Sequence, residues 1–125
     1  MNSLPDVVCK AFAEREGVVI LTTVDAAGVP NSIYAGSVRE PGNGTIVIAD
    51  NYFHKTRANI HAGSLGSLLF ITKERKAYQL KGHFSYHTSG PLFADMKSWN
   101  KPEYPGVAAA VLHVDEIYSG AERIA

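Results

Sequence analysis

His54-Lys55-Thr56-Arg57 sets an imidazole, two fixed cations and a hydroxyl on four consecutive residues. The continuation Ala58-Asn59-Ile60-His61-Ala62-Gly63 lacks strand alternation and ends in glycine, so the pattern predicts a short helix starting inside the basic block. The first turn of a helix already carries partial positive charge, and acidic residues are favoured there. Cations in that place set up a local electrostatic conflict. A phosphate would relieve it, because the first-turn N–H groups, the Thr56 hydroxyl and the Lys55 ammonium would all direct donors at one dianion. A second reading stands beside it, in which Lys55 and Arg57 are solvated surface residues whose charge Asp50 partly offsets.

Asn31 and Ser32 open a second group. They follow the turn-forming run Asp25-Ala26-Ala27-Gly28, and an amide plus a hydroxyl at a strand end offer donors to a phosphate or polyol chain. Residues of these types beside a turn serve equally well as local hydrogen-bonders.

Other chemistries find no support in the spacing. Gly42-Asn43-Gly44-Thr45 lacks the third glycine of a dinucleotide loop and leads into a strand, and no glycine-rich loop ends in Gly-Lys-Ser/Thr. His83 and His87 are four apart on a predicted strand, about 13 Å, too far to share a metal ion. No Gly-x-Ser-x-Gly elbow is present, and the carboxylates are scattered singly. Twelve Lys and Arg balance twelve Asp and Glu, so no overall field attracts nucleic acid or an anionic membrane, and any anion must be held by a local device. Cys9 has no partner for a disulfide and sits among Val7, Val8 and Phe12, which fits a packed thiol in a reducing cytoplasm. No basic stretch followed by an apolar run opens the sequence, and Val107 to Leu112 is only about a third of a membrane span, so neither secretion nor a membrane anchor is expected.

The elements that must position these residues follow from periodicity. With 125 residues and 46% hydrophobic content, the chain suits one domain with one core. Leu4, Val8 and Phe12 share a helical face, with Asn2 or Ser3 as cap, Pro5 near the first turn and Gly17 as terminator. Strands are predicted at 18–24, 31–38 and 45–49, joined by short turns as a meander, with Pro41-Gly42-Asn43-Gly44 as the second turn. Further strands are predicted at 67–72, 78–86 and 108–118. In 78–86 the period of two is clearest: Tyr78, Leu80, Phe84 and Tyr86 face the core, and Gln79, Lys81, His83 and Ser85 face out. Gly82, on the apolar face, allows close packing or the sharp bend of a curling sheet. Leu92, Phe93, Met96 and Trp99 form a helical stripe that Pro102 and Pro105 stop. About six antiparallel strands with three short helices argue for a barrel rather than a parallel α/β sheet.

In this order of elements the chain resembles the FMN-binding split-barrel family that includes pyridoxamine 5'-phosphate oxidase, and especially its small single-domain bacterial FMN-binding proteins. The likeness rests on Glu16-Gly17-Val18-Val19 after the opening helix, the Asn31-Ser32 strand start, the block His54-Lys55-Thr56-Arg57-Ala58-Asn59-Ile60, Lys81-Gly82, and Thr88-Ser89-Gly90-Pro91 before a helix. The resemblance implies a mainly β, antiparallel split β-barrel over residues 1–125. It implies one FMN per subunit in a homodimer, with the flavin at the subunit boundary. By the same resemblance Asn31, Ser32, Ile33, His54, Lys55 and Thr56 hold the phosphate and ribityl chain, while Ile48 and Ala49 line the isoalloxazine ring and the partner covers it.

Tyr34, Trp99 and Tyr104 are the aromatic candidates for a lid over the flavin, with helix packing as the other reading of Trp99. The function implied is electron or hydride transfer by FMN. Two alternatives accompany it. One is a flavin-dependent reductase or oxidase of a small substrate, using Arg39, Tyr34 or His113 beside the ring; the other is a non-catalytic barrel that binds haem or a deazaflavin. Pyridoxamine-phosphate oxidases carry a C-terminal Arg-x-His motif where this chain reads Ile117-Tyr118-Ser119-Gly120-Ala121-Glu122-Arg123-Ile124-Ala125, so vitamin B6 oxidation is not expected.

Overall fold

The computed structural model describes residues 1–125. Helix α1 (Asp6–Ala13) precedes a hairpin of β1 (Val19–Val24) and β2 (Pro30–Ala35). Then follow β3 (Val38–Arg39), β4 (Thr45–Asp50), α2 (Lys55–His61), β5 (Leu65–Ile71), β6 (Ala77–His87), α3 (Gly90–Trp99), β7 (Ala108–Ser119) and β8 (Glu122–Arg123). All pairings are antiparallel, in the order β2-β1-β5-β6-β7-β4-β3, with β8 on β7. The two ends of this curled sheet are contiguous in the chain. β2 and β3 are separated only by Gly36-Ser37, so one extended segment starts against β1 and ends against β4. The barrel is thereby closed by a bend in the backbone rather than by a ladder, and the gap beside that bend is its split.

This changes the expected meander. The third predicted strand, β4, pairs with β7 and with the short β3, not with β2. The predicted strand 31–38 breaks at Gly36-Ser37, where the chain leaves β1, and Ser37 O accepts Ala49 N at 2.9 Å to start the second pairing. The expected caps Asn2 and Ser3 are not used: Pro5 precedes α1, no side chain caps it, and it ends at Glu14, three residues before Gly17. The six strands read from periodicity are all present; β3 and β8, two residues each, are additions.

β4 explains its own sequence. Its run Thr-Ile-Val-Ile-Ala-Asp shows no alternation because every residue is buried. Ile46 and Ile48 enter the barrel interior with Leu21, Leu68, Leu80 and Leu112, while Val47 and Ala49 face outward beneath Met96 of α3. The alanines of β7 serve the same packing. Ala109 and Val111 lie under α3, and the small side chains let the helix approach closely. The apolar run at 108–111 is therefore consumed inside this chain, with only Val107 exposed. α1 closes one end of the barrel through Val8, Ala11 and Phe12, the last edge-on to Phe70 with ring centroids 5.2 Å apart.

Gly82 is the corner. The β6–β7 register shifts between Lys81 and Gly82, and a Cβ there would stand 1.9 Å from His113 O. Neither backbone can retreat without breaking the ladder on both sides. Gly82→Ala is expected to destabilise the domain by about 1–3 kcal/mol, the usual cost of overpacking. Urea unfolding measures it, and an unchanged midpoint would mean that the two strands are not locked at this bend.

Candidate functional site

The split in the barrel opens into a recess of about 750 Å³, large enough for a cofactor. β2 runs along one wall with Asn31, Ile33 and Ala35; at about 3.3 Å per residue, the strand carries the recess some 13 Å from Asn31 to Ala35. The β4–α2 connection, from Asn51 to His54, forms the second wall together with Lys55 and Thr56 of α2, and Lys101 and Tyr104 from the α3–β7 loop form the third.

At the α2 end the polar groups converge. Asn31 Nδ2 donates to Thr56 Oγ1 at 3.3 Å, and the Thr56 hydroxyl proton has no acceptor of its own. Lys55 is exposed, lines the recess and makes no ion pair. No side chain caps α2, and its first turn contains no acidic residue.

The basic block divides into two halves with different tasks. Lys55 and Thr56 reach the recess, whereas Arg57 and Asn59 turn inward and fasten the helix. Asp50, with no exposed surface, accepts Arg57 Nε at 2.7 Å and the terminal nitrogen of the same fork at 3.0 Å. Tyr86 Oη donates to it at 2.6 Å and Phe53 N at 3.0 Å, so both oxygens of the buried carboxylate are saturated. The hydrogen bond it donates to Asp50 makes Arg57 hold its proton more tightly than a free guanidinium. Burial first, and Asp50 second, push the Tyr86 phenol upward. Asn59 Nδ2 donates to the buried Thr23 Oγ1 at 3.0 Å, tying α2 to β1. The offset of the basic block's charge by Asp50 is thus real, but it is specific to Arg57 and leaves Lys55 free.

The predicted site residues separate accordingly. Asn31, Ile33, Ala49, His54, Lys55 and Thr56 line one recess. Ser32 points to the opposite face of β2, where its Oγ is 2.7 Å from Thr22 Oγ1, because alternation along a strand sends neighbours to opposite sides. Ile48 is wholly buried in the barrel core for the same reason, since its neighbour Ala49 takes the recess side. Neither Ser32 nor Ile48 is among the residues that line the recess.

Among the aromatic candidates, Tyr104 lines the recess, Tyr34 borders it although it shares the exposed face of β2 with Ser32, and Trp99 does not reach it; Trp99 lies on α3, its Nε1 buried without a partner. Arg39 and His113 lie away from it. His113 Nε2 and His87 Nε2 instead flank Ser85 Oγ at 2.7 and 2.8 Å, His83 stacks on His113, and His83 Nδ1 is 3.0 Å from Asp115. Burial, then His83 and His87, lower the His113 pKa. No group of three or more such residues is arranged to hold a metal ion. Burial is also the leading cause that raises the Cys9 thiol, with Glu40 adding to it, the opposite of activation. No helix is long and apolar enough to cross a membrane.

Tyr52, Asn51 and Lys101 were not anticipated. Tyr52 meets Tyr104 edge-to-face at 6.4 Å, and Asn51 exchanges amide hydrogen bonds with Asn100. Partners 49 to 52 residues apart leave no trace in local spacing.

A family model described as pyridoxamine 5'-phosphate oxidase matches residues 6–119, nearly the whole fold just described. The chain belongs to the pyridoxamine 5'-phosphate oxidase family. An uncharacterised protein of Methanocaldococcus jannaschii is 29% identical over 107 residues, covering 82% of this chain and 72% of that one. Among solved structures, HupZ of Group A Streptococcus has a TM-score of 0.83 at 24% identity, with 98% of each chain covered. An FMN-binding protein of Syntrophomonas wolfei has a TM-score of 0.77 at 20% identity, over 90% of this chain and 83% of that one. An F420 reductase and the haem storage protein HutZ of Vibrio cholerae share the fold at TM-scores of 0.69 and 0.70. At identities of 24% or less, these structures establish the architecture and nothing finer.

The fastening of α2 through Asp50 has a measurable consequence. Asp50→Asn is expected to cost on the order of 3 kcal/mol, because it upsets a saturated buried carboxylate and strands part of its donor set. Tyr86→Phe, which removes a single donor, should cost about 1 kcal/mol. Urea unfolding of the two variants should preserve that order; equal effects would remove Asp50 from its central place.

Proposed function

We propose that this protein binds one FMN per subunit in the recess and acts in electron or hydride transfer, with the flavin supplying the redox chemistry. The observation that carries this reading is the donor set at the α2 end: an unpaired Lys55, the Thr56 hydroxyl and the Asn31 amide meet at one end of the recess, and no carboxylate lines any part of it. That is the chemistry of an oxyanion site. The 13 Å run of β2 beyond it, flanked by Ile33, Ala35 and Ala49, suits a polyol chain leading to a flat apolar ring. Lys55 and Thr56 would hold the phosphate, with Asn31 orienting the Thr56 hydroxyl. Ile33 and Ala49 would exclude water from the ring, and no side-chain acid or base is needed for simple electron transfer.

Haem is the second reading, and one residue favours it: His54, exposed at the recess, offers an imidazole ligand. The visible spectrum of protein purified without added cofactor separates the two, since a flavin gives two moderate bands and haem one intense band.

Lys55→Ala is expected to weaken FMN binding about tenfold or more, the worth of a charge-assisted hydrogen bond, while leaving the thermal midpoint of the cofactor-free protein unchanged. Flavin-fluorescence titration reads the affinity, and wild-type affinity in the variant would overturn the site.

The functional unit in this reading is a homodimer in a reducing cytoplasm. Tyr34 and Tyr52 are 76% and 74% exposed, beside a recess that the single chain leaves open, and Val18 adds an exposed apolar surface next to them. A second copy placed there would cover the ring. Light scattering on the chromatographed protein is expected to give the mass of two chains, and a monomer at micromolar concentration would refute the arrangement.

A further inference from the structure

The recess has a second cation that the phosphate reading leaves without a task. Lys101 lines it from the α3–β7 loop, in company with Tyr104 and Tyr52. Its neighbour Asn100 is tied through Asn51 to Ser37, six residues along the extended segment from Asn31, which puts this part of the loop towards the other end of the recess from the Asn31–Thr56 pair. The loop that carries it is held firmly. Asn51 Oδ1 accepts Asn100 Nδ2 at 2.8 Å and Gly106 N at 3.0 Å, while Asn51 Nδ2 donates to Ser37 Oγ at 3.2 Å. Lys97 Nζ binds the carbonyls of Pro105 and Gly106 at 3.0 and 3.3 Å, and Val107 N donates to Asp50 O at 2.9 Å. Pro102 and Pro105 restrict the backbone between these points. Gly106, at φ +47, has no room for a Cβ beside Asn100 Nδ2, 2.8 Å away. Lys101 therefore stands on a clamped wall, with its ammonium 5.9 Å from the Tyr104 ring centre.

The charge around the recess is one-signed. Lys55 and Lys101 line it, Arg57 is withdrawn to Asp50, and no Asp or Glu faces it. A phosphate has the same charge whatever the redox state of the ring, so the Lys55 end cannot favour one state over the other. A cation at the ring end can. Two-electron reduction of FMN with uptake of one proton leaves one additional negative charge on the ring, and a positive field there stabilises that form over the neutral oxidised one. We propose that Lys101 is a redox-tuning residue of this site: it binds the reduced cofactor more strongly than the oxidised one and so raises its midpoint potential. This rests on the FMN reading given above.

The test compares Lys101→Met, Lys101→Arg and Lys55→Ala as holoproteins. Dissociation constants for FMN are measured aerobically and again under dithionite in the absence of oxygen, and midpoint potentials by spectroelectrochemistry. Lys101→Met is expected to lose about tenfold more affinity for reduced than for oxidised FMN, equal to about 30 mV more negative for a two-electron couple. Lys101→Arg should restore the wild-type value, and Lys55→Ala should weaken both states alike. Equal losses in Lys101→Met would make Lys101 a plain binding residue, and no change would make it a solvated one; either result overturns this proposal and leaves the FMN reading standing. A wild-type protein that takes up no FMN in either state overturns both.

Discussion

The buried carboxylate of Asp50 is the constraint on which the rest of the site depends. A lone carboxylate without solvent contact is expensive, and this one is tolerated because an arginine fork, a phenol and a main-chain N–H fill its lone pairs. Those donors come from three places: α2, β6 and the β4–α2 connection. Satisfying one anion therefore fixes three elements relative to each other, and the bend from β4 into α2 is set by it. Lys55 and Thr56 inherit their positions from that bend. The carbonyl of the same residue receives Val107 N, so the α3–β7 loop that carries Lys101 and Tyr104 is referenced to the same point.

A helix turns about 200° over two residues, so Lys55 and Arg57 must leave α2 in nearly opposite directions. One faces the recess and the other faces Asp50. Two cations two residues apart thus stand in unrelated settings, one unpaired at the recess and one a structural tie. Without its carboxylate, Arg57 would leave the helix without this anchor. In the proposed site, the pairing would keep stability and binding on separate residues.

Much of this was legible in the sequence. Six strands followed from β-branched runs and turn residues, the bend at Gly82 from a glycine on an otherwise apolar face, and the donor group from Asn31, Lys55 and Thr56. The failures have physical causes. β3 and β8 are two residues long, below the length at which a period of two can register. The break at Gly36-Ser37 was hidden because the sequence on either side is equally strand-forming, and only the closure of the sheet decides which partner each half takes. The side chains of Ser32 and Ile48 lie off the recess because direction alternates along a strand, and the sequence alone does not say which face borders a cleft. The pairing of Asn51 with Asn100 joins residues 49 apart, and Lys101 acquires its place through that pairing.

The electrostatics of the recess would connect an anionic ligand to the proposed dimer. Opposite unit charges 4 Å apart attract by about 1 kcal/mol in bulk water and about 4 kcal/mol at an effective dielectric of 20. In the open groove of a single chain, Lys55 and Lys101 act mostly through water, and their fields are correspondingly weak. Covering the mouth at Tyr34 and Tyr52 would remove that water without moving either lysine. In the proposed dimer the second copy therefore need not contribute a charge of its own. By excluding solvent it would strengthen interactions that α2 and the α3–β7 loop already aim into the recess, so assembly and retention of an anionic ligand would reinforce each other.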